Sequence, residues 1–248
     1  MALFSRHVTA ISLGGECLPT SPTATVAMLN FENARANMVD GQILPNRVTD
    51  PTLIAALRSV PRELFVPQEA LGIAYVDEEI PIGNGRRLLE PMVLARMLQE
   101  AEISPRDVVL DIGCATGYST ALLACLASTV VAIESDTVLF ERASKALSTL
   151  ATDSATLINR ELTGGYPAQA PYDVMVINGA VAEVPPAILK QLADGGRLVT
   201  VVAYNHDIAR LGQARLYRKV GSSVSSISMF EASAPVLPGF EFKPRFVF

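Results

Sequence analysis

The sequence predicts an α/β fold organised around a mostly parallel sheet, and three observations support this class. From residue 104 onwards, short apolar runs alternate with amphipathic runs of helical spacing, which is typical of parallel strands joined by crossover helices. Two strand-like runs near the C-terminal end have no helix between them, which predicts an antiparallel hairpin. A chain of 248 residues with 50% apolar content can also bury one substantial core.

The predicted sheet contains seven strands, and the last two form the hairpin. The first strand is rich in β-branched residues, as a strand buried on both faces requires. Asp50 and Pro51 predict a helix start, because Asp is a favoured N-cap and Pro suits the first helical position. The expected strands are 108–112, 130–133, 155–159, 172–178, 196–203, 214–220 and 224–230, and the expected helices are 29–37, 51–60, 91–101, 117–126, 137–151 and 185–192.

We expect the chain to divide into three segments. Residues 1–27 contain small, polar and helix-breaking residues without a sustained period, which predicts a disordered leader. Residues 28–103 are expected to form a small helical and loop-rich extension that covers the sheet as a lid. Residues 104–248 are expected to form the core, in one structural domain with the extension. Translation could begin at Met1 or at Met28, and the sequence leaves both starts open.

Composition and charge exclude several classes of protein. A net charge of −5 and a pI near 5.1 give no reason to expect nucleic acid or an anionic membrane surface as a partner. The sequence has no run of 18 apolar residues, so we expect no membrane-spanning helix. Three cysteines and two histidines show no metal-ligand spacing, so we expect no metal site and reduced thiols in a cytoplasmic protein. The oligomeric state stays open.

The stretch from Val108 to Leu126, VVLDIGCATGYSTALLACL, predicts a strand, a glycine-containing turn and a helix. This order places the backbone amides of a helix N-terminus beside the turn, where a ligand can bind. A turn that binds a dinucleotide needs bare glycines, but here Asp111 would repel phosphate and Ala115 replaces the middle glycine. S-adenosylmethionine fits better, since it carries an ammonium, a sulfonium and a ribose but no phosphate.

A second acidic residue supports the same cofactor. Glu134 ends the next predicted strand, 17 residues after Gly117, where its carboxylate can accept hydrogen bonds from both ribose hydroxyls. Together with Asp111 and the break at Gly113, it predicts a cofactor site, and a plain structural turn is the alternative. Cys114 lies inside the turn, either as a pocket-lining residue or as a small filler.

A parallel nucleotide-binding sheet that ends in an antiparallel hairpin is the Rossmann-like architecture of class I methyltransferases. Four runs narrow the comparison: PRELFVP from Pro61, AYVDEEIPIG from Ala74, VLDIGCATGYSTALLA around Asp111, and GGYPAQAPYDVMVINGAVAEVP from Gly164. In these runs residues 38–202 resemble protein-L-isoaspartate O-methyltransferases. The first two runs are specific to that family, whereas the Asp-x-Gly turn is common to methyltransferases at large.

The resemblance implies a cofactor, an activity and a set of site residues. The cofactor is S-adenosylmethionine, and the activity is methyl transfer to a carboxylate of a damaged protein or peptide. Asp111, Gly113 and Gly117 would then bind the methionine part and Glu134 the ribose. Glu161 falls where the family usually has an aspartate near the adenine.

The segment before Pro91 departs from the family pattern. Family members typically read Thr-Ile-Ser-Gln-Pro there, with the serine hydroxyl near the acceptor carboxylate, whereas residues 87–91 read Arg-Leu-Leu-Glu-Pro. Leu89 cannot donate a hydrogen bond, and Glu90 would repel a carboxylate acceptor. Two like charges about 4 Å apart cost about 4 kcal/mol at an effective dielectric near 20, which is roughly a thousandfold in binding.

Three functions therefore stay open. The first is isoaspartyl carboxyl methylation, in which positioning and water exclusion matter more than proton transfer. The second is methyl transfer to an alcohol, phenol or amine with Glu90 as general base, although Glu90 could instead cap the helix that Pro91 begins. The third is a binding protein that holds S-adenosylmethionine or its demethylated product without catalysis.

Three further polar residues lie close to the predicted site. Asn178 ends the fourth predicted strand, where it could contact a substrate or serve a strand-end turn. Arg86 and Arg87 could attract an anionic substrate to the mouth of the pocket. The simpler interpretation of the two arginines is a solvated pair in a loop.

Overall fold

The computed structural model describes residues 30–204 and 211–242. The expected leader of residues 1–27, the alternative start at Met28 and the last six residues lie outside this part of the chain. All further statements concern the described residues.

The main sheet confirms the predicted fold class. Its seven strands in the described ranges are β3 (Val108–Ile112), β4 (Thr129–Glu134), β5 (Ala155–Asn159), β6 (Tyr172–Val181), β7 (Leu192–Ala203), β8 (Leu211–Val220) and β9 (Ser223–Ser233). They follow the order β5-β4-β3-β6-β7-β8-β9. The five strands from β5 to β7 in this order are parallel, and β8 runs antiparallel to both β7 and β9.

Helices lie between the strands and ahead of the sheet. Asp50 caps the helix Pro51–Ser59 as expected, since its Oδ1 accepts hydrogen bonds from the backbone amides of Thr52 and Leu53. The helix expected at 185–192 is wrong in length: only Pro186–Leu189 is helical, because β7 already begins at Leu192. The helices are α1 (Phe31–Met38), α2 (Pro51–Ser59), α3 (Pro91–Glu100), α4 (Tyr118–Leu126), α5 (Thr137–Thr149) and α6 (Pro186–Leu189).

The segment ahead of the sheet contains short helical turns and one small hairpin. A π-helical turn at Val39–Ile43 continues α1, and 3₁₀ turns occupy Leu44–Asn46, Arg62–Phe65 and Gln68–Ile73. Strands β1 (Ile80–Gly83) and β2 (Arg86–Leu88) pair antiparallel in a separate two-stranded sheet. This β1-β2 hairpin leads directly to residues 89 and 90 and then into α3.

Two buried apolar clusters hold these layers together. The larger cluster contains residues from the N-terminal segment, from α3 and α4, and from the sheet, so the segment packs directly on the core. The order of the sheet reverses between β3 and β6, which are neighbours although they are not consecutive. Ligands of open α/β sheets bind outside the carboxyl ends of strands at such a reversal, so the fold places the predicted site there.

Candidate cofactor and acceptor site

The turn after β3 requires its glycines for backbone conformation and for close contacts. Gly113 and Gly117 have φ angles of +74° and +95°, a region that favours glycine. A Cβ on Gly117 would lie 3.3 Å from the Cβ of Ala143 in α5. Ala115 also has a positive φ of 55° and occupies the middle-glycine position. The turn therefore forms a tight bend between β3 and α4 with α5 packed against it.

Asp111 offers one unused acceptor atom in the interior. Its Oδ2 accepts hydrogen bonds from the hydroxyls of Ser119 at 2.7 Å and Thr120 at 2.8 Å. Its Oδ1 is buried and has no hydrogen-bond partner within the described chain. Burial raises the pKa of Asp111 to about 6, and the two hydroxyl bonds partly oppose that rise. An ammonium group beside Oδ1 would satisfy this atom and favour the charged carboxylate.

Asn178 is joined to Asp111 through Ser119. It is 6% exposed, and its Nδ2 donates to Ser119 Oγ at 2.6 Å. The expectation of a strand-end turn is wrong, because β6 continues to Val181 and Asn178 lies within it. The chain Asn178, Ser119 and Asp111 therefore joins β6, α4 and β3 at the reversal of the sheet.

Glu134 lies at the carboxyl end of β4 and is fully buried. Its Oε1 accepts hydrogen bonds from the backbone amides of Ser135 at 2.9 Å and Asp136 at 3.0 Å, and its Oε2 accepts from the amide of Ala115 at 2.8 Å. Arg86 adds a fourth donor, since its Nη1 lies 2.7 Å from Oε1. The carboxylate is thus fixed beside the turn that follows β3.

The interpretation of Arg86 and Arg87 as a solvated pair is wrong. Arg86 is only 5% exposed, because the β1-β2 hairpin points its guanidinium at Glu134 and at the carbonyl of Gly113, 3.0 Å from Nη2. Arg87 is partly buried and forms an ion pair with Glu79 at 3.0 Å. Both arginines are therefore bound to carboxylates of the chain itself.

Leu237, in the segment that follows β9, packs against the glycine turn. The segment after β9 runs along β6, where the amide of Leu237 donates to the carbonyl of Ala180 at 2.9 Å. Leu237 is 1% exposed, and a Cβ added to Gly113 or Gly179 would lie 2.9 Å or 2.6 Å from its methyl carbons. The glycine turn is therefore covered by Arg86 on one side and Leu237 on the other.

Two predicted cofactor residues differ sharply in environment. Cys114 is fully buried in the turn, and burial raises the pKa of its thiol above the usual range, so it is an unreactive neutral group. Glu161 is exposed just beyond the carboxyl end of β5, two strands away from β3. Its side chain is therefore accessible to a ligand that extends along this edge of the sheet.

The four residues before Pro91 (87–90), hereafter the acceptor segment, hold Leu89 inside and Glu90 near the surface. Leu89 is 2% exposed and belongs to the larger core cluster, and its carbonyl accepts a 2.7 Å hydrogen bond from Nη2 of the buried Arg62. Glu90 occupies the N-cap position of α3, as the capping interpretation expects, but its side chain makes no capping hydrogen bond. A long Glu side chain is a poor N-cap compared with Asp or Ser.

Glu90 lies among other acids. Burial raises its pKa to about 7, and the nearby charges of Asp77, Glu79 and Glu78 add to that rise. The neutral form of the side chain is therefore accessible near neutral pH. In that form the like-charge repulsion that the sequence predicts toward an anionic acceptor is absent.

Sequence reasoning missed four contributors: Ser119, Thr120, Leu237 and the role of Arg86. Ser119 and Thr120 could have been predicted, because both lie at the start of the predicted helix, just after the glycine turn. The contacts of Arg86 and Leu237 could not, because they join residues far apart in the sequence.

No helix in the described ranges has both the length and the apolar content to cross a membrane. No group of three or more His, Cys, Asp or Glu side chains in the same residues is arranged to hold a metal ion.

Comparison with known proteins decides the family. The family model described as protein-L-isoaspartate(D-aspartate) O-methyltransferase (PCMT) matches residues 33–229, which is most of the chain. The chain belongs to the protein-L-isoaspartate O-methyltransferase family. A Methanoculleus marisnigri member is 39% identical over 168 residues, covering 68% of this chain and 76% of the relative. A Rhodopseudomonas palustris member is 36% identical over 193 residues, covering 78% and 77%.

Solved structures show the same fold. A protein-L-isoaspartate O-methyltransferase structure matches with a TM-score of 0.71 at 23% identity, covering 84% of this chain and 66% of that one. A Plasmodium falciparum structure, described as a beta-aspartate methyltransferase in complex with S-adenosyl-L-homocysteine, matches with a TM-score of 0.68 at 16% identity, covering 84% and 98%.

S-adenosylmethionine is the cofactor of this family, and the residues present fit it at both ends of the site. The unpaired Oδ1 of Asp111 suits an ammonium group, and Glu134 provides a carboxylate at the end of the neighbouring strand. Arg86 already donates hydrogen bonds to Glu134 and to the carbonyl of Gly113. A cofactor that binds Glu134 must therefore share this carboxylate with Arg86 or displace it.

Proposed function

We propose that this chain is a cytoplasmic repair enzyme that methylates the isoaspartyl carboxylate of damaged proteins and peptides. The family match over residues 33–229 carries the proposal. It favours a carboxylate acceptor over an alcohol, phenol or amine, and a catalyst over a non-catalytic binding protein.

The cofactor site is assigned to residues at the carboxyl ends of β3, β4 and β5. Asp111 would accept a hydrogen bond from the ammonium of the cofactor, with Gly113 and Gly117 allowing close approach of the backbone. Glu134 would accept from the ribose hydroxyls, and the accessible Glu161 would reach the adenine. When bound there, S-adenosylmethionine supplies a methyl group made electrophilic by the neighbouring sulfonium.

Methyl transfer to a carboxylate needs little acid or base catalysis from the protein. An ionised carboxylate acceptor brings its own electron pair and has no proton to lose, so no general base is needed. The residues must position the acceptor in line and exclude water, which would otherwise stabilise the carboxylate. Leu237, which is buried against Gly113, provides one such apolar wall.

Glu90 is compatible with this acceptor in its neutral form. Burial and the neighbouring acids raise its pKa to about 7, so a protonated carboxyl is accessible near neutral pH. A protonated carboxyl can donate one hydrogen bond, so it can take the place of the hydroxyl that Leu89 lacks. Asn178 would contact the acceptor or orient Ser119 behind the cofactor turn.

The direct test uses purified protein, radiolabelled S-adenosylmethionine and a pair of peptides that differ only in an isoaspartyl or aspartyl residue. Base-labile label on the isoaspartyl peptide alone is the expected result. Label that is base-stable, or that appears on an added alcohol or amine, would replace the carboxylate acceptor with another one. Cofactor binding without any label would indicate a binding protein.

A further inference from the structure

Arg86 contacts two of the predicted cofactor-binding residues, Glu134 and Gly113. Its guanidinium bridges Glu134 Oε1 at 2.7 Å and the carbonyl oxygen of Gly113 at 3.0 Å, and the side chains of Arg86 and Glu134 are 5% and 0% exposed. Its Nε is buried without a hydrogen-bond partner in the residues that the structure covers. Part of the hydrogen-bonding capacity of this cation is therefore unused.

The contacts of Glu134 leave no room for a further pair of donors. A carboxylate offers about four acceptor positions, and Glu134 already receives Arg86 Nη1 and three backbone amides. A ligand that places two hydroxyls on this carboxylate must therefore displace at least one donor. Arg86 is the side chain among these donors, so it is the one that can leave without unfolding the backbone turn.

The β1-β2 hairpin that carries Arg86 is attached to the same region by two more contacts. Asn84 Nδ2 donates to Asp136 Oδ2 at 2.7 Å, and Arg142 Nη1 donates to the carbonyl of Ile82 at 2.6 Å. The hairpin also leads within three residues from Arg86 to Leu89. Movement of Arg86 away from Glu134 is thus directly connected to the acceptor segment.

We propose that Arg86 has two alternative carboxylate partners: Glu134 before the cofactor binds, and the acceptor carboxylate after the ribose has taken Glu134. This inference rests on the proposed function. A guanidinium buried to this degree is costly without an anion. Arg binds carboxylates through two parallel hydrogen bonds, so it adds to the single hydrogen bond of a neutral Glu90 and offsets the charge of an ionised Glu90.

The proposal makes Arg86 a determinant of both affinity and acceptor class. Cofactor binding must break the internal ion pair, which weakens the binding of the cofactor. Acceptor binding then gains a cation that appears only when the cofactor is present. The order of binding is therefore cofactor first and carboxylate second.

The first test is calorimetric binding of S-adenosylhomocysteine to the full chain and to Arg86→Met. Removing the internal competitor is expected to tighten binding about tenfold, given the cost of breaking a buried ion pair. Arg87→Met is the matched control, since this neighbour pairs with Glu79 and should leave the affinity unchanged. Unchanged or weaker binding to Arg86→Met would overturn the competition.

If Arg86→Met fails to fold, Arg86→Lys tests the competition in its place. This variant keeps the positive charge but offers a single donor group instead of a planar fork. Its affinity for S-adenosylhomocysteine is expected to lie between those of the wild type and Arg86→Met. Affinity equal to or below that of the wild type would count against the competition.

The second test measures methylation of an isoaspartyl peptide. In Arg86→Met the KM for the peptide is expected to rise about tenfold while the affinity for S-adenosylhomocysteine increases. A general structural lesion would weaken both, so opposite changes identify the exchange of partners. An unchanged peptide KM would overturn the acceptor role of Arg86. If the wild type methylates no isoaspartyl peptide, the proposed function and this acceptor role fail, whereas the calorimetry still decides the competition.

Discussion

The hydroxyl of Ser119 donates a 2.7 Å hydrogen bond to the buried carboxylate of Asp111. The same hydroxyl oxygen accepts from Asn178 Nδ2 at 2.6 Å, so a residue of β6 supports the acid at the end of β3. Because the hydroxyls of Ser119 and Thr120 use only Oδ2, the other oxygen of Asp111 stays without a partner in the described chain. This arrangement fixes the carboxylate and leaves one acceptor for a cationic ligand.

Replacing Asp111 by Asn tests that acceptor. The amide oxygen can still accept from Ser119 and Thr120, so the fold should persist, but the free position becomes an NH₂ group facing an ammonium. We expect the affinity for S-adenosylhomocysteine to fall at least about tenfold, as for loss of a charge-assisted hydrogen bond. Isothermal calorimetry of the wild type and of Asp111→Asn measures this affinity.

Asp173→Asn is the control for that variant. Asp173 accepts a 2.9 Å hydrogen bond from the amide of Val108 at the opposite end of β3. The Asp173→Asn variant should change thermal stability but not the affinity for S-adenosylhomocysteine. Equal losses of affinity in both variants would remove Asp111 from the cofactor site.

The pH dependence of cofactor binding follows from the same carboxylate. Burial raises the pKa of Asp111 to about 6, so the group becomes neutral as the pH falls through that value. A neutral carboxyl no longer attracts an ammonium, so the affinity for S-adenosylhomocysteine should decline from pH 7 to pH 5. Calorimetry across this range should show the decline in the wild type and a flatter profile in Asp111→Asn. A flat wild-type profile would contradict the assignment.

Glu90 predicts a different pH effect, on the acceptor. With its pKa raised to about 7, it is mostly neutral at pH 6 and mostly charged at pH 8. The KM for an isoaspartyl peptide should therefore rise over this range, because the carboxylate meets a growing negative charge. Glu90→Gln stays neutral and should show a low KM throughout, with turnover retained. Loss of turnover in this variant would instead favour Glu90 as general base.

Gly113 and Leu237 predict a coupled effect on stability. In Gly113→Ala the new Cβ would lie 2.9 Å from Leu237 Cδ1 at a φ of +74°, so we expect a loss of about 1–3 kcal/mol. Adding Leu237→Ala removes the clash but also a buried side chain. Denaturant unfolding of both single variants and the double variant should show a double-variant loss smaller than the sum.

Gly41→Ala is the control for this pair, since no atom lies within 4 Å of the position that a Cβ would take there and its φ is not positive. Its stability should be equal to or above that of the wild type. Additive losses for Gly113→Ala and Leu237→Ala would show that the two residues do not interact.

The sequence was sufficient to predict the features that depend on residues close together in the chain. Asp50 and Pro51 specify a helix start within three residues, and the structure confirms the cap. The alternation of apolar runs likewise predicted the seven strands and the antiparallel pair, because each element depends mainly on its own periodicity. Asp111 and Glu134 were found because each lies within the last two residues of its own strand.

Long-range contacts could not be predicted in this way. Arg86 and Glu134 are 48 positions apart, and only the packing of the β1-β2 hairpin against β4 brings them together. Leu237 reaches Gly113 from the far end of the chain for the same reason. The wrong expectation at Arg86 concerns where a side chain points, which depends on neighbours that the local sequence does not reveal.

Acceptor specificity is measured as the ratio of methyl ester formed on an isoaspartyl peptide to that formed on its aspartyl counterpart, with the same purified protein at pH 7. We expect a base-labile ester on the isoaspartyl peptide and none above background on the other. Equal labelling of the two peptides, or no ester on either while S-adenosylhomocysteine binds, would rule out isoaspartyl carboxyl methylation by this protein.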